Sequence, residues 1–77
     1  MNEVKLYLLK LINEINNSEA VAIPSLDMRI MRKYPEVIYS KKLKEYLLDL
    51  KNYEYIEFMD EMTVAITSKG IQHLKST

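Results

Sequence analysis

Lys41, Lys42 and Lys44 crowd together just after Ser40, where an apolar helical pattern begins. That pattern is Leu43, Tyr46, Leu47 and Leu50, the inner face of a helix over about residues 40–51. Ser40 is its predicted N-cap, with a hydroxyl able to accept a bond from a free amide of the first turn. Three ammonium groups at the positive end of a helix dipole are mildly unfavourable, by roughly a few tenths of a kcal/mol each when exposed. The balance changes when an anion docks, because a phosphate meets lysines, a hydroxyl and backbone amides together. Taken as an isolated cluster, the bland reading of a solvated lysine-rich face is the commoner one, so the surrounding elements must decide.

Other chemistry finds little support. His73 is the only histidine and no cysteine exists to act with it, so the residues predict no enzyme, and His73 reads as a surface or helix-end side chain. The carboxylates are dispersed, with Asp60 and Glu61 at a turn, whereas a metal site needs convergent oxygen ligands. With a single glycine there is no phosphate loop. The expectation is no metal and no cofactor. Met28, Met31, Met59 and Met62 could make an adaptable surface, although irregular core filling is the more common use. Tyr34 and Tyr39 flank a predicted turn where a phenol could bond a phosphate or stack on a sugar, or sit at the core edge. Tyr53 and Tyr55 could equally anchor an interface. No aromatic series has the spacing of a single-strand binding platform.

Charge argues both ways. The chain has 11 basic and 11 acidic residues, so it lacks the global potential of a dedicated nucleic-acid binder. Its distribution is uneven. From Met28 to Lys51 seven basic residues stand against three acidic, a net of +4, while Asn52 to Met62 carries Glu54, Glu57, Asp60 and Glu61 and no base, a net of −4. The acidic segment is repelled by phosphate. The same dipolar surface could mate with a protein or with its own symmetry copy.

The elements that must position these residues follow from periodicity. Val4, Leu8, Leu11, Ile12 and Ile15 form one stripe of a first helix, with Lys5, Lys10, Asn13 and Glu14 off it. Leu6 and Leu9 project away from that stripe, either to join two chains or to pack under a C-terminal helix. Asn16-Asn17-Ser18 reads as a polar helix end. Ala20–Ile23 reads as a short edge strand stopped by Pro24. Ser25 then caps a second helix from Leu26 to about Tyr34, with Leu26, Ile30 and Met31 inside and Arg29, Arg32 and Lys33 outside. Pro35 ends it, and Glu36–Tyr39 make a turn. A hairpin follows as Tyr53–Met59, Asp60-Glu61 and Met62–Ile66, with Ile56, Phe58, Val64 and Ile66 facing the core. Thr67 caps a last short helix whose first turn holds Gly70, and Ile71 with Leu74 folds back on the first helix.

The run Ile66-Thr67-Ser68-Lys69-Gly70, following a basic helix and two short strands, resembles the close of the wing in winged helix-turn-helix transcriptional regulators. Those often have Leu-Thr-polar-Lys-Gly before a last short helix, and Leu43, Leu47 and Leu50 fall where their recognition helix buries its apolar ridge. The resemblance spans roughly residues 3–75. It implies a mainly α fold with a small antiparallel β-sheet (α+β), in the order helix, short strand, helix, helix, strand, strand, short helix, as one domain over residues 1–77. It implies a sequence-specific binder of double-stranded DNA, a small transcriptional regulator whose recognition helix lies at about residues 40–51. The DNA-binding set is then Arg29, Arg32, Lys33, Tyr39, Ser40, Lys41, Lys42 and Lys44, with Leu6 and Leu9 as the homodimer contact. The family often has glycine just before the first wing strand; Glu54 stands here, and Asn52 is the expected left-handed residue. An acidic wing is the departure from the basic wings of many relatives, and it keeps a second reading open: a protein-interaction module in a phage, plasmid or transcription assembly. Composition suggests a prokaryotic or viral source and a cytoplasmic location, with no secretory signal and no membrane span.

Overall fold

The computed structural model describes residues 2–16 and 20–76. Helix α1 (Glu3–Asn16) leads through β1 (Val21–Ala22) into α2 (Ile23–Lys33), the single turn α3 (Pro35–Tyr39) and α4 (Leu43–Asn52). The hairpin β2 (Ile56–Asp60) and β3 (Thr63–Ile66) follows, then α5 (Ser68–Lys75). The architecture is mainly helical with a small three-stranded antiparallel sheet, ordered β1-β3-β2. Among the described residues no helix is long and apolar enough to cross a membrane.

Helix α1 starts where the Asn2 side chain accepts from the Lys5 amide at 2.8 Å. It then packs against β3, α2, α4 and α5. A helix surrounded in this way buries more than one stripe, which explains why Leu9 is as fully buried as Leu8 and Ile12. Leu9 therefore belongs to the chain's own core and cannot present a face to a second chain, while Leu6 is half-buried. Leu26 and Ile30 of α2, Leu43, Leu47 and Leu50 of α4, and Ile56 and Val64 of the sheet complete that core.

The second helix begins earlier than its periodicity suggests. Pro24 lies in the first turn of α2, where its missing N–H is not needed, and extended Ala22 takes the cap position. Ser25 is consequently inside the helix, and the strand before it shrinks to Val21–Ala22. Pro35 likewise starts a helical turn, so α3 occupies residues expected to form a plain turn, and Tyr34 between the two helices is non-helical as the proline demands.

Both ends of the gap between α3, α4 and β2 close the same way. At the end of α3, Lys41 has φ 58°, with Lys41 N–H donating to Ile38 O and Lys42 N–H to Val37 O. At the end of α4, Glu54 has φ 68°, with Glu54 N–H donating to Lys51 O and Tyr55 N–H to Leu50 O. Each is a Schellman ending, a left-handed residue that satisfies the last helical carbonyls and usually is glycine. Asn52 is still helical, so Glu54 takes the left-handed role at the very position where the resembled family often has glycine.

The hairpin turn is Glu61-Met62, one residue later than expected. Phe58 pairs with Val64 but Asp60 with Thr63, so Met59 bulges. The Asp60 carboxylate accepts from the Met62 amide at 2.7 Å and fixes the tip.

Candidate nucleic-acid interface

Helix α4 is pinned from below by Leu43, Leu47 and Leu50, which turns Lys44, Leu48 and Lys51 outward as a second stripe at a spacing of four and three. Its N-terminus differs from the sequence expectation. Ser40 is not the cap: its hydroxyl donates to Glu36 O at 2.6 Å as part of the end of α3, and Lys42 occupies the cap position without a side-chain bond to the first turn. The amides at the start of α4 thus have no side-chain cap, with Lys41, Lys42 and Lys44 all exposed around them. The helix runs over Leu43–Asn52, about three residues later than its predicted start at residue 40.

The predicted basic set divides into two groups. Lys41 and Lys44 line a cleft of about 320 Å³ between α2, α3 and α4, together with Asp27 and the apolar Ile23 and Ile38. Arg29 and Arg32 line a different cleft, beside Ile15 and Met28. At about 100° per residue, Arg29 and Arg32 stand 140–160° round α2 from Asp27, toward α1 rather than α4. Lys33 shares their side, with its ammonium 4.6 Å from the centre of the Tyr7 ring and 5.8 Å from that of Tyr34. Tyr34 packs edge-on against Tyr7 at 5.4 Å and so serves the core edge. Tyr39 is 77% exposed and open to a ligand.

Acidic residues near α4 have unequal effects. Asp49 is held by Lys5 at 2.9 Å, a bond that raises the Lys5 pKa and ties α1 to α4, so Asp49 opposes little of the lysine charge. Asp60 and Glu61 are different. They face Lys44 and Lys51 across a groove of about 710 Å³ between α4 and the hairpin, floored by Leu48, Phe58 and Met62. Hydrogen bonds from the Met62 amide and the Thr63 side chain hold the Asp60 carboxyl below its ordinary pKa, so it stays charged. A phosphate entering this groove meets carboxylates on one wall. This groove is the feature that sequence reasoning missed, although Lys44, Leu48 and Lys51 at helical spacing were a readable signal for its helical wall.

The Ile66–Gly70 run acts as a lock. Thr67 Oγ1 accepts from the Gly70 amide at 3.1 Å and donates to Glu54 O at 2.6 Å, while the Thr67 amide donates to Tyr55 O at 2.9 Å. Gly70 is buried against the Tyr55 carbonyl. These contacts hold the start of α5 against the end of α4, and through it set where β2 begins. The sequence also gave no hint of the stack Tyr53, Tyr55 and His73, with ring centres 5.4 and 4.6 Å apart and the Tyr55 hydroxyl 3.2 Å from His73 Nδ1. His73 is half-buried in that stack, a structural use of the ring. Among the described residues no three histidine or acidic side chains converge as a metal site. Comparisons with protein-family models, curated proteins and solved structures found no match to this chain.

Proposed function

We propose that this chain is a DNA-binding domain of the winged helix-turn-helix kind, with α2 to α4 as the helix-turn-helix and α4 as the recognition helix. The observation that carries the reading is the uncapped start of α4, ringed by three exposed lysines. Free amides and ammonium groups together suit a phosphate or a guanine edge, and recognition helices lead with their N-terminal residues.

In this mechanism Lys41, Lys42 and Lys44 bind the backbone flanking the major groove, with Tyr39 beside them. Arg29 and Arg32, on the α1 side of α2, contact the backbone further along the duplex. The acidic hairpin stays out of the minor groove, because Asp60 and Glu61 repel phosphate. The domain would act as a small transcriptional regulator. The charge-reversed variant Lys41→Glu, Lys42→Glu, Lys44→Glu tests it: duplex binding should be lost while far-UV circular dichroism is unchanged. Unchanged affinity in a folded variant would show that α4 is not the recognition helix.

The oppositely charged walls of the groove between α4 and the hairpin favour a second reading, a winged helix that binds protein. Under that reading a variant reversed only at Lys41 and Lys42, which do not line the groove, leaves partner binding intact.

A further inference from the structure

The groove between α4 and the hairpin is unsatisfied within the chain. The two ion pairs among the described residues are Lys5–Asp49 and Lys69–Glu54, so Lys44 and Lys51 on one wall do not reach Asp60 and Glu61 on the other. Its floor is also open: Leu48 is 43% and Met62 54% exposed. An apolar floor rimmed by charge marks an interaction surface.

We propose that this groove is the contact face between two copies of the chain, related by a two-fold axis that runs along the groove in the plane of its mouth. Rotation by a half-turn about that axis carries the basic wall of each copy over the acidic wall of the other. The patch is therefore self-complementary, as an isologous interface requires. The charge pattern selects this occupant over others. A phosphate backbone satisfies the lysine wall and is repelled by the carboxylate wall, and a basic peptide does the reverse. A second copy satisfies both walls and covers the apolar floor with an identical one. Equal numbers of basic and acidic residues remove any long-range repulsion between copies. A short chain without cysteine also gains from an oligomeric staple.

The inference does not rest on DNA binding. Lys44 lines both this groove and the cleft at the start of α4, whereas Lys41 and Lys42 do not line the groove, so each copy in the dimer keeps those two lysines outside the interface. This face replaces the Leu6 and Leu9 contact, which the burial of Leu9 removes.

Sedimentation velocity on the whole chain tests the proposal through charge re-pairing. Wild type should sediment at twice its 9.1 kDa mass at micromolar concentration. Lys51→Glu and Glu61→Lys should each weaken the dimer by about tenfold or more, because each sets like charges face to face. Mixing the two variants should restore a heterodimer, and the chain carrying both changes should dimerise again. Leu48→Lys should leave only monomer. All three positions are exposed, and circular dichroism verifies the fold. Asp60 is left alone because it holds the hairpin turn, and Lys41, Lys42 and Lys44 are left alone so that DNA binding is read separately. A wild type that is monomeric throughout overturns the proposal, as does a dimer that survives Leu48→Lys or charge variants that fail to re-pair on mixing.

Discussion

Gly70→Ala sets two effects of known sign against each other. In the interior of a helix, alanine is favoured over glycine by about 1 kcal/mol. Here the new Cβ would fall deep inside the contact radius of the Tyr55 carbonyl oxygen, 2.9 Å from Ile66 Cγ1 and 3.1 Å from the Tyr55 carbonyl carbon. The Tyr55 backbone has little freedom to retreat. Its carbonyl accepts from the Thr67 amide and its amide donates to Leu50 O, so α5 must move instead. Overpacking of this kind costs about 1–3 kcal/mol. Displacing α5 also loosens the Thr67 cap, worth about 1 kcal/mol. The net is a loss of about 1–3 kcal/mol, and for a domain of this size about 2 kcal/mol lowers Tm by roughly 8–16 °C. Thermal melts followed by far-UV circular dichroism read it directly. A Tm equal to or above that of wild type would refute the reasoning, because it would mean α5 does not press on Tyr55.

Glu54→Gly should raise stability by up to about 1 kcal/mol, since the left-handed residue loses its Cβ penalty and only a 3.9 Å exposed pair with Lys69 is given up; denaturant midpoints measure it, and a loss would mean the Glu54 side chain matters more than its backbone. Leu9→Ala should lose about 2–5 kcal/mol independently of protein concentration, as a core cavity does. A loss confined to dilute solution would return Leu9 to an interface. The Asp60 carboxyl has a lowered folded pKa, so its contribution is complete above the ordinary value of 3.8 and is lost as pH falls through the lower folded one. Exchange of the Met62 amide, read by NMR, should therefore lose protection at acid pH in wild type, and an Asp60→Asn chain should lack that particular transition.

Much of the fold was legible because periodicity reports burial. The α1 stripe, Leu26 and Ile30 of α2, the inner face of α4, the hairpin with Ile56 and Val64 inward, and the Thr67 cap all follow from spacing and residue type, whereas Met31 stays outside the core. What failed was local punctuation. Pro24 and Pro35 read as stops, yet each sits in a first turn where proline is tolerated, so α2 begins early and α3 exists. Ser40 read as a cap because its residue type suits one, but two carbonyls of α3 were closer. The role of Leu9 stays open in the sequence, between a second chain and the chain's own core, because a single stripe assumes one neighbour and α1 has several. For the site, the lysine cluster was visible in the chain, whereas its separation from Arg29 and Arg32 depends on which side of α2 faces α4. The charged groove depends on how the hairpin folds beside α4, which no local pattern encodes.

The most direct test of the central claim is fluorescence anisotropy of a labelled mixed-sequence duplex titrated with the protein over a salt series. If Lys41, Lys42 and Lys44 neutralise three phosphates, the slope of log affinity against log salt is about −2.7, and affinity falls roughly fortyfold between about 50 and 200 mM salt. Engagement of Arg29 and Arg32 as well would steepen the slope to about −4.5. Absence of binding at low salt, or binding indifferent to salt, would contradict the assignment of α4 as a DNA-reading helix.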